Sequence, residues 1–98
     1  MYIYNVTITL EKDIHNEWLR WMQEVHIPDV MRTGLFTEHK ICKLITEELE
    51  TTYAIQYTVR TMDDLLKYQK EFAPKLQAEH KNKFNGKFAA FRTVLEII

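Results

Sequence analysis

The sequence has few of the residues that disulfide-rich, metal-binding and multidomain proteins depend on. It contains one cysteine, two glycines and two prolines among 98 residues. A single cysteine, Cys42, can form neither an internal disulfide nor a multi-thiolate metal site, which is typical of a reducing compartment. Because no Gly-, Ser- or Pro-rich stretch separates two compositions, we expect a single domain over residues 1–98.

Neither sign of charge dominates, since 13 basic residues face 14 acidic ones and the net charge is -1. Sequence-independent binding to nucleic acid or to an anionic membrane needs a basic face, so neither is an expected partner. No apolar run approaches the roughly 18 residues of a membrane span, and the first residues lack the pattern of a signal peptide. These features together predict a cytoplasmic protein.

The motifs of several common enzyme classes are also missing. There is no Gly-rich phosphate loop, no Gly-x-Ser-x-Gly and no His-Glu-x-x-His, which excludes nucleotide hydrolysis, serine hydrolase and zinc protease chemistry. The four histidines are not at metal-ligand spacing. Cys42 has no arrangement of basic neighbours that would activate it as a nucleophile. We therefore predict no metal and no cofactor.

Alternation of apolar and polar residues, which is typical of half-buried strands, is what the sequence offers in their place. It is clearest where Tyr4, Val6, Ile8 and Leu10 are separated by polar residues. The predicted strands are Tyr2–Leu10, Phe36–Glu47, Tyr53–Val59 and Phe88–Ile98. A turn over residues 48–51 would join the middle two in a hairpin.

A first helix is predicted over Ile14–His26, with Asp13 as its N-cap and one further turn after Pro28. Its apolar positions at helical spacing are Ile14, Trp18, Trp21, Met22 and Val25. The region is expected to end by Gly34.

A second helix is predicted to begin at the capping pair of Thr61 and Asp64. Pro74 is expected to kink or restart this helix, because it lacks an amide hydrogen. The dipeptide Asn85-Gly86 then predicts a turn into the last strand.

The order strand, helix, strand, strand, helix, strand predicts an α+β fold of the ferredoxin-like split βαβ type. Right-handed crossovers would place both helices on one face of a four-stranded antiparallel sheet. The expected residues of the other face are Ile3, Asn5, Thr7, Ala54, Gln56, Thr58, Arg92, Val94 and Glu96. Such a face has too little Lys and Glu for open solvent, so we expect a homodimer with two sheets packed face to face.

The stretch from Glu17 to Gly34, EWLRWMQEVHIPDVMRTG, followed by Phe36, resembles an uncharacterised bacterial family best known from Bacteroides. That family lies within the dimeric α/β-barrel superfamily. The resemblance continues through TYAIQY, residues 52–57, and FAAFR, residues 88–92, and so covers nearly the whole chain. His26-x-Pro28 after a Trp-bearing helix is also similar to the EthD-like barrels, whose relatives include small-molecule monooxygenases and isomerases. The resemblance implies a fold and a dimer, and it transfers no chemistry.

His26 is the candidate catalytic residue, because an imidazole can act as acid or base near neutral pH. It also lies beside the predicted interruption of the helix at Pro28, which could open a cleft. Asp29 could orient its ring. The alternative is a structural role, in which a histidine at a helix C-terminus is stabilised by the helix dipole. That structural role has the larger prior weight.

Three kinds of side chain are candidates for ligand binding: the indoles of Trp18 and Trp21, the phenol of Tyr57 and the guanidinium of Arg92. The tryptophans could stack on an aromatic ligand but also fit a helix core, and a buried phenol needs a hydrogen-bond partner. Arg92 lies within a strand, where its charge must be paired by Glu96, by a dimer mate or by a ligand carboxylate.

Two functions fit these residues. The first is a small-molecule site, for an aromatic compound, between sheet and helices, with His26 as acid or base and the ligand-binding candidates as its wall. The second is a dimeric structural or binding module without chemistry. RNA binding is disfavoured, because the faint RNA-recognition motif at residues 86–91 lies on the fourth strand and the net charge is negative. A cavity beneath His26 would favour the first function, and a filled interior would favour the second.

Overall fold

The computed structural model describes residues 1–45 and 51–98. Its elements follow the predicted order: β1 (Tyr2–Leu10), α1 (His15–Trp21), a π-helical segment (Met22–His26), α2 (Ile27–Met31), β2 (Phe36–Lys43), β3 (Thr51–Val59), α3 (Met62–Glu71), α4 (Ala73–Phe84) and β4 (Phe88–Glu96). The helices lack the length and apolar character needed to cross a membrane in the part of the chain described.

The four strands form one antiparallel sheet in the order β2-β3-β1-β4. The α+β ferredoxin-like prediction is confirmed, and so is the hairpin of β2 with β3. β2 ends at Lys43, before the predicted Glu47, and β3 begins at Thr51, which was assigned to the turn. The rest of the predicted turn, residues 48–50, lies outside the described residues.

The hydrophobic core fills the space between one face of this sheet and the helices. The predicted alternation in β1 is confirmed, because Tyr4, Val6, Ile8 and Leu10 are all buried while their neighbours are half-exposed. Trp18 from α1 and Leu65 from α3 are completely buried against this face. The central strand therefore supplies the floor of any cavity beneath the helices.

The first helical run is continuous where the sequence predicted an interruption, and its last turn after Pro28 agrees with the prediction. α1, the π segment and α2 are contiguous, so helical backbone continues through Pro28 to Met31 instead of breaking near His26. In the π segment the amide of Ile27 donates to the carbonyl of Met22, five residues back. Pro28 follows the π segment directly, where the regular α-helical hydrogen-bond pattern is already interrupted, so its missing amide hydrogen costs less than within an unbroken α-helix.

The π segment changes which side chains face the core. Buried residues recur at every fourth position from Ile14 through Trp18, Met22 and His26 to Val30, and Ile27 is buried beside His26. A regular α-helix turns about 100° per residue, so a four-residue spacing drifts by about 40° at each step. The wider π turn corrects this drift. The prediction of Val25 as a core position is wrong, since its side chain is 41% exposed and His26 occupies the inner face.

The helix boundaries agree with the predictions at most points. The amide of Asp64 donates to the Thr61 hydroxyl at 3.1 Å, as a capped start requires, and the second helix restarts as α4 at Ala73, beside Pro74. Asn85 ends α4 in the left-handed region at φ 47°. Asp13 was predicted as an N-cap and is not one, because its carboxylate pairs with Lys87.

The register of β4 reverses one part of the predicted surface. Residues opposite each other in a sheet share a face, and Arg92 lies opposite the buried Val6. Arg92, Val94 and Glu96 therefore lie on the face of the sheet that the helices pack against, so their assignment to the open face is wrong. All three remain exposed on this edge strand. The open face instead receives Phe91, Thr93 and Leu95 from β4.

Candidate functional site

A small cavity lies between the central strands and the helices, close to the π segment. Its volume is about 20 Å³, which is room for about one water molecule. The wall is formed by Tyr4, Val6, Ile8, Met22, His26, Val30, Ile55, Tyr57, Tyr68, Gln77, His80 and Arg92. Seven of these twelve side chains carry a polar group, an unusual composition for the interior of a small domain.

His26 is buried in this wall and has an incomplete set of hydrogen bonds. Its ring lies 5.0 Å from that of Trp21 and 5.3 Å from that of His80, measured between centroids. Its Nδ1 atom is buried and has no hydrogen-bond partner within residues 1–45 and 51–98. Asp29, which was expected to orient the ring, instead accepts from Arg32 at 2.6 Å. A buried polar atom of this kind needs an explanation, because leaving it unpaired costs about 1–3 kcal/mol.

Burial keeps His26 neutral. It lowers the pKa of His26 from 6.5 to about 4, with Asp29 opposing the shift and the cation of Arg92 adding to it. The dipole interpretation is wrong for this residue, because His26 lies within the helical run and not at its C-terminal end. At pH 7 its imidazole is uncharged, with one nitrogen that donates and one that accepts.

The tautomer of His80 follows from its partner. The indole nitrogen of Trp18 lies 2.9 Å from Nε2 of His80. An indole can only donate, so Nε2 must accept and the ring proton must lie on Nδ1. Burial, together with His26 and Arg92, lowers the pKa of His80 to about 3, and the ring is neutral. It stacks on Phe88 with 4.0 Å between centroids.

Three phenols add hydroxyl groups to the cavity. Burial raises the pKa values of Tyr57 and Tyr68 far above 10, so both remain protonated. Burial also raises the pKa of Tyr4, although Arg92 and Gln77, which lie beside its hydroxyl, act in the opposite direction. All three hydroxyls can therefore donate hydrogen bonds at neutral pH.

Arg92 supplies the only formal charge of the wall. The ion pairs of the described residues join Arg32 with Asp29, Lys83 with Glu17 and Lys87 with Asp13. Arg92 takes part in none of them, and the sequence-based expectation of a pair with Glu96 is not met. Its positive charge instead lowers the pKa values of His26, His80 and Tyr4.

A second, open depression adjoins the cavity. We call it the outer groove; its volume is about 280 Å³ and its wall is Gln77, His80, Lys81, Gly86, Phe88, Ala90 and Arg92. Gln77, His80 and Arg92 belong to both walls. These three side chains therefore form the partition between the groove and the cavity.

The residues singled out in the sequence separate into two groups. His26, Tyr57 and Arg92 line the cavity. Trp18 and Trp21 lie behind it, where they contact His80 and His26. Sequence reasoning missed His80, although Leu76, His80 and Phe84 recur at four-residue spacing along α4 and are all buried. No group of three or more His, Cys, Asp or Glu side chains suited to a metal occurs within residues 1–45 and 51–98.

Three of the similar solved structures share this fold. A dimeric ferredoxin-like protein from an uncultured marine organism has a TM-score of 0.74 at 12% identity, covering 100% of this chain and 95% of that one. An ethyl tert-butyl ether d (ethd) family protein from Bacillus halodurans has a TM-score of 0.71 at 13% sequence identity, and the match covers 100% of both chains. A cofactor-independent oxygenase from Streptomyces nogalater has a TM-score of 0.66 at 9% sequence identity, and the match covers 98% of this chain and 92% of that one. Identities this low show the fold alone.

Comparison of sequences gives the family. No curated protein matches the chain. The predicted Bacteroides origin and the kinship through His26-x-Pro28 stay predictions. The family model of DUF4286, described as a domain of unknown function, matches residues 1–98. Since the match spans the whole sequence, the protein belongs to the DUF4286 family.

Proposed function

We propose that the protein binds a small organic molecule where the cavity meets the outer groove. The observation that carries the proposal is the unpaired Nδ1 of the buried His26 in a wall that also contains three protonated phenols and Arg92. A specific ligand site is mostly apolar with a few convergent polar groups. Val6, Ile8 and Ile55 supply apolar surface beside these polar groups, which make up more of this wall than of an ordinary ligand site.

The ligand would lie mainly in the outer groove. The cavity holds one small group, whereas the groove approaches the roughly 300 Å³ at which ligand pockets begin. Movement of the partition side chains Gln77, His80 and Arg92 would join the two spaces. Trp18 and Trp21 then act by positioning the histidines, and Tyr57 and Arg92 by direct contact.

His26 is a hydrogen-bonding group in this proposal before it is a catalyst. A general base works best when its pKa is near the working pH, and a pKa of about 4 makes His26 a weak base at pH 7. A ligand that brings negative charge would raise that pKa and so make proton transfer accessible. The cofactor-independent oxygenase among the fold neighbours is a precedent for chemistry without a cofactor.

We further propose that residues 1–98 act as one cytoplasmic domain that forms a homodimer through the open face of the sheet. The faces of β1, β3 and β4 that point away from the helices carry no charged residue. Phe91 is 63% exposed there, and the Oδ1 atom of Asn5 is buried without a partner. Two fold neighbours are described as dimeric ferredoxin-like proteins.

A non-catalytic dimeric module is the second candidate, and the small size of the cavity favours it. If one water pairs with His26, the interior is complete without a ligand. The two functions differ in whether any small molecule reaches the partition.

The two indole N–H signals of Trp18 and Trp21 allow a direct test by NMR on protein labelled with ¹⁵N-tryptophan. Trp18 donates to His80 and Trp21 stacks on His26, so both signals report on the wall. We expect at least one compound of an aromatic fragment library to shift both signals in a saturable way. The His26→Asn substitution should lower the affinity for that compound. Val25→Ala, an exposed neighbour, is the matched control. A library that leaves both signals unchanged would favour the module.

A further inference from the structure

We infer that the ligand of this site is an organic anion, an aromatic or unsaturated carboxylate, whose oxygens bind Arg92 and whose apolar body lies in the outer groove. The inference rests on the proposed function and adds the chemical class of the ligand. It follows from three features of the walls: their charge, their hydrogen-bond donors and their shape.

The charge of the walls departs from that of the whole protein. The chain has a net charge of -1 with 14 acidic residues, yet the described residues place Arg92 and Lys81 in the walls of the cavity and the groove and no carboxylate. Neither cation takes part in an ion pair among the described residues. Both side chains are exposed, so they can reach a ligand from solvent and form charge-assisted hydrogen bonds with a carboxylate that it brings.

The uncharged polar groups add donors around the same point. Trp18 fixes the proton of His80 on Nδ1, and Tyr4, with its hydroxyl beside Arg92 and Gln77, remains protonated. Gln77 contributes an amide that can also donate. A carboxylate only accepts hydrogen bonds, so it fits a cluster of donors better than a neutral alcohol or amine does.

The shape of the groove selects a flat apolar body. The side chains of Phe88 and His80 stack almost in parallel, at an interplanar angle of 5°, and both belong to the groove wall together with Ala90. Arg92 belongs to the same groove wall and, like His80, also lines the cavity. A planar ring against Phe88 and His80 would place its carboxylate near the guanidinium, with one oxygen directed towards the unpaired nitrogen of His26.

The test compares benzoate with benzamide, which has the same shape without the charge, by titration of the Trp18 and Trp21 indole signals. We expect benzoate to bind at least about tenfold more tightly, because hydrogen bonds to charged groups are stronger. Arg92→Gln should remove this preference and leave benzamide unchanged. Arg60→Gln, which neutralises an exposed arginine outside both walls, is the matched control. Arg92→Lys, expected to fall between wild type and Arg92→Gln, replaces the glutamine variant if that variant does not fold.

Equal affinity for the two probes, or an Arg92→Gln variant that keeps the preference, would overturn the inference. Binding of neither probe, when a neutral fragment still shifts the indole signals, would also overturn it while leaving the proposed function intact. If no fragment of any charge shifts the signals, the proposed function fails as well. An Arg92→Gln variant that dissociates the protein into monomers without changing benzoate affinity would assign the cation to a subunit contact instead.

Discussion

At the scale of single residues, the defining feature is a pair of neutral histidines in contact inside the protein. His26 and His80 lie 5.3 Å apart between ring centroids, and their pKa values fall to about 4 and about 3 because burial penalises the charged ring. Arg92 adds repulsion to both. Protonation of either ring therefore opposes the native packing.

Stability should fall as the pH falls through the pKa of an unfolded histidine, about 6.5. Below that value His26 binds a proton in the unfolded chain, whereas in the native state it stays neutral down to about pH 4. The free energy of unfolding therefore decreases at acid pH. For His26 alone the loss between pH 7 and pH 5 is about 2 kcal/mol. Urea unfolding at several pH values measures it. The His26→Asn variant should lose less stability on acidification, whereas the exposed His39→Asn should behave as wild type. A flat profile would mean that the native ring is protonated more readily than its burial implies.

Trp18→Phe tests the tautomer of His80. The substitution removes the donor to Nε2 and leaves a buried acceptor without a partner, at a cost of about 1–3 kcal/mol in addition to the lost volume. The ¹⁵N shifts of the His80 ring should change from the Nδ1–H form towards a mixture of tautomers. Ring shifts identical to wild type would show that another contact fixes the proton.

Part of this residue-scale arrangement could be predicted. Tyr57 and Arg92 are singled out in the sequence because a phenol and a guanidinium inside strands need partners. His80 is not, because a single histidine on an apolar helix face has no local motif. Its role depends on Trp18, 62 residues away, and only the tertiary fold brings the two together.

At the scale of elements, the π segment determines which residues reach the cavity. A search for the α-helical period selects Val25 as the inner residue, whereas the wider turn over Met22–His26 presents His26. The strict four-residue spacing from Ile14 to Val30 is the sequence signal that could have indicated it. The wrong face was assigned to Arg92 in β4 for another reason. Both faces of this edge strand carry apolar residues, so the alternation does not identify the inner one.

Val25→Ala and Met22→Ala should therefore differ sharply in stability. Val25 is exposed, so its substitution by alanine should lower the free energy of unfolding by less than about 0.5 kcal/mol. Met22 is 1% exposed, and its truncation should cost about 2–5 kcal/mol through lost contacts and a cavity. Chemical denaturation of the two variants against wild type measures both values. Comparable losses would show that the run is an ordinary α-helix in solution.

At the scale of the whole molecule, the fold was the most predictable property. Four amphipathic strands and two helical regions in this order leave few arrangements with right-handed crossovers. The sequence pattern predicted an open face correctly for β1 and β3, and the register of β4 makes that face more apolar than expected, through Phe91 and Leu95.

Phe91→Glu should convert the proposed dimer into a monomer. A charge on the open face of β4, where neither β4 nor its neighbour β1 carries one, would have to be buried in the interface without a partner, which costs several kcal/mol. Light scattering at micromolar concentration gives the mass of each form. Leu66→Glu is the control, since Leu66 lies on α3 and is 55% exposed. A wild-type monomer, or a Phe91→Glu protein that remains dimeric, would place the interface elsewhere or remove it.

The strand order also has a consequence for synthesis on the ribosome. β1 is made first and occupies an inner position, but its neighbour β3 follows only after the first helical run and β2, and its other neighbour β4 is the last element of the chain. The nascent β1 therefore has both backbone edges and its apolar residues unpaired while the helices emerge. Pairing with β4 must wait until residues up to Glu96 are released, so the sheet closes after translation of this region and chaperones would have time to act on it.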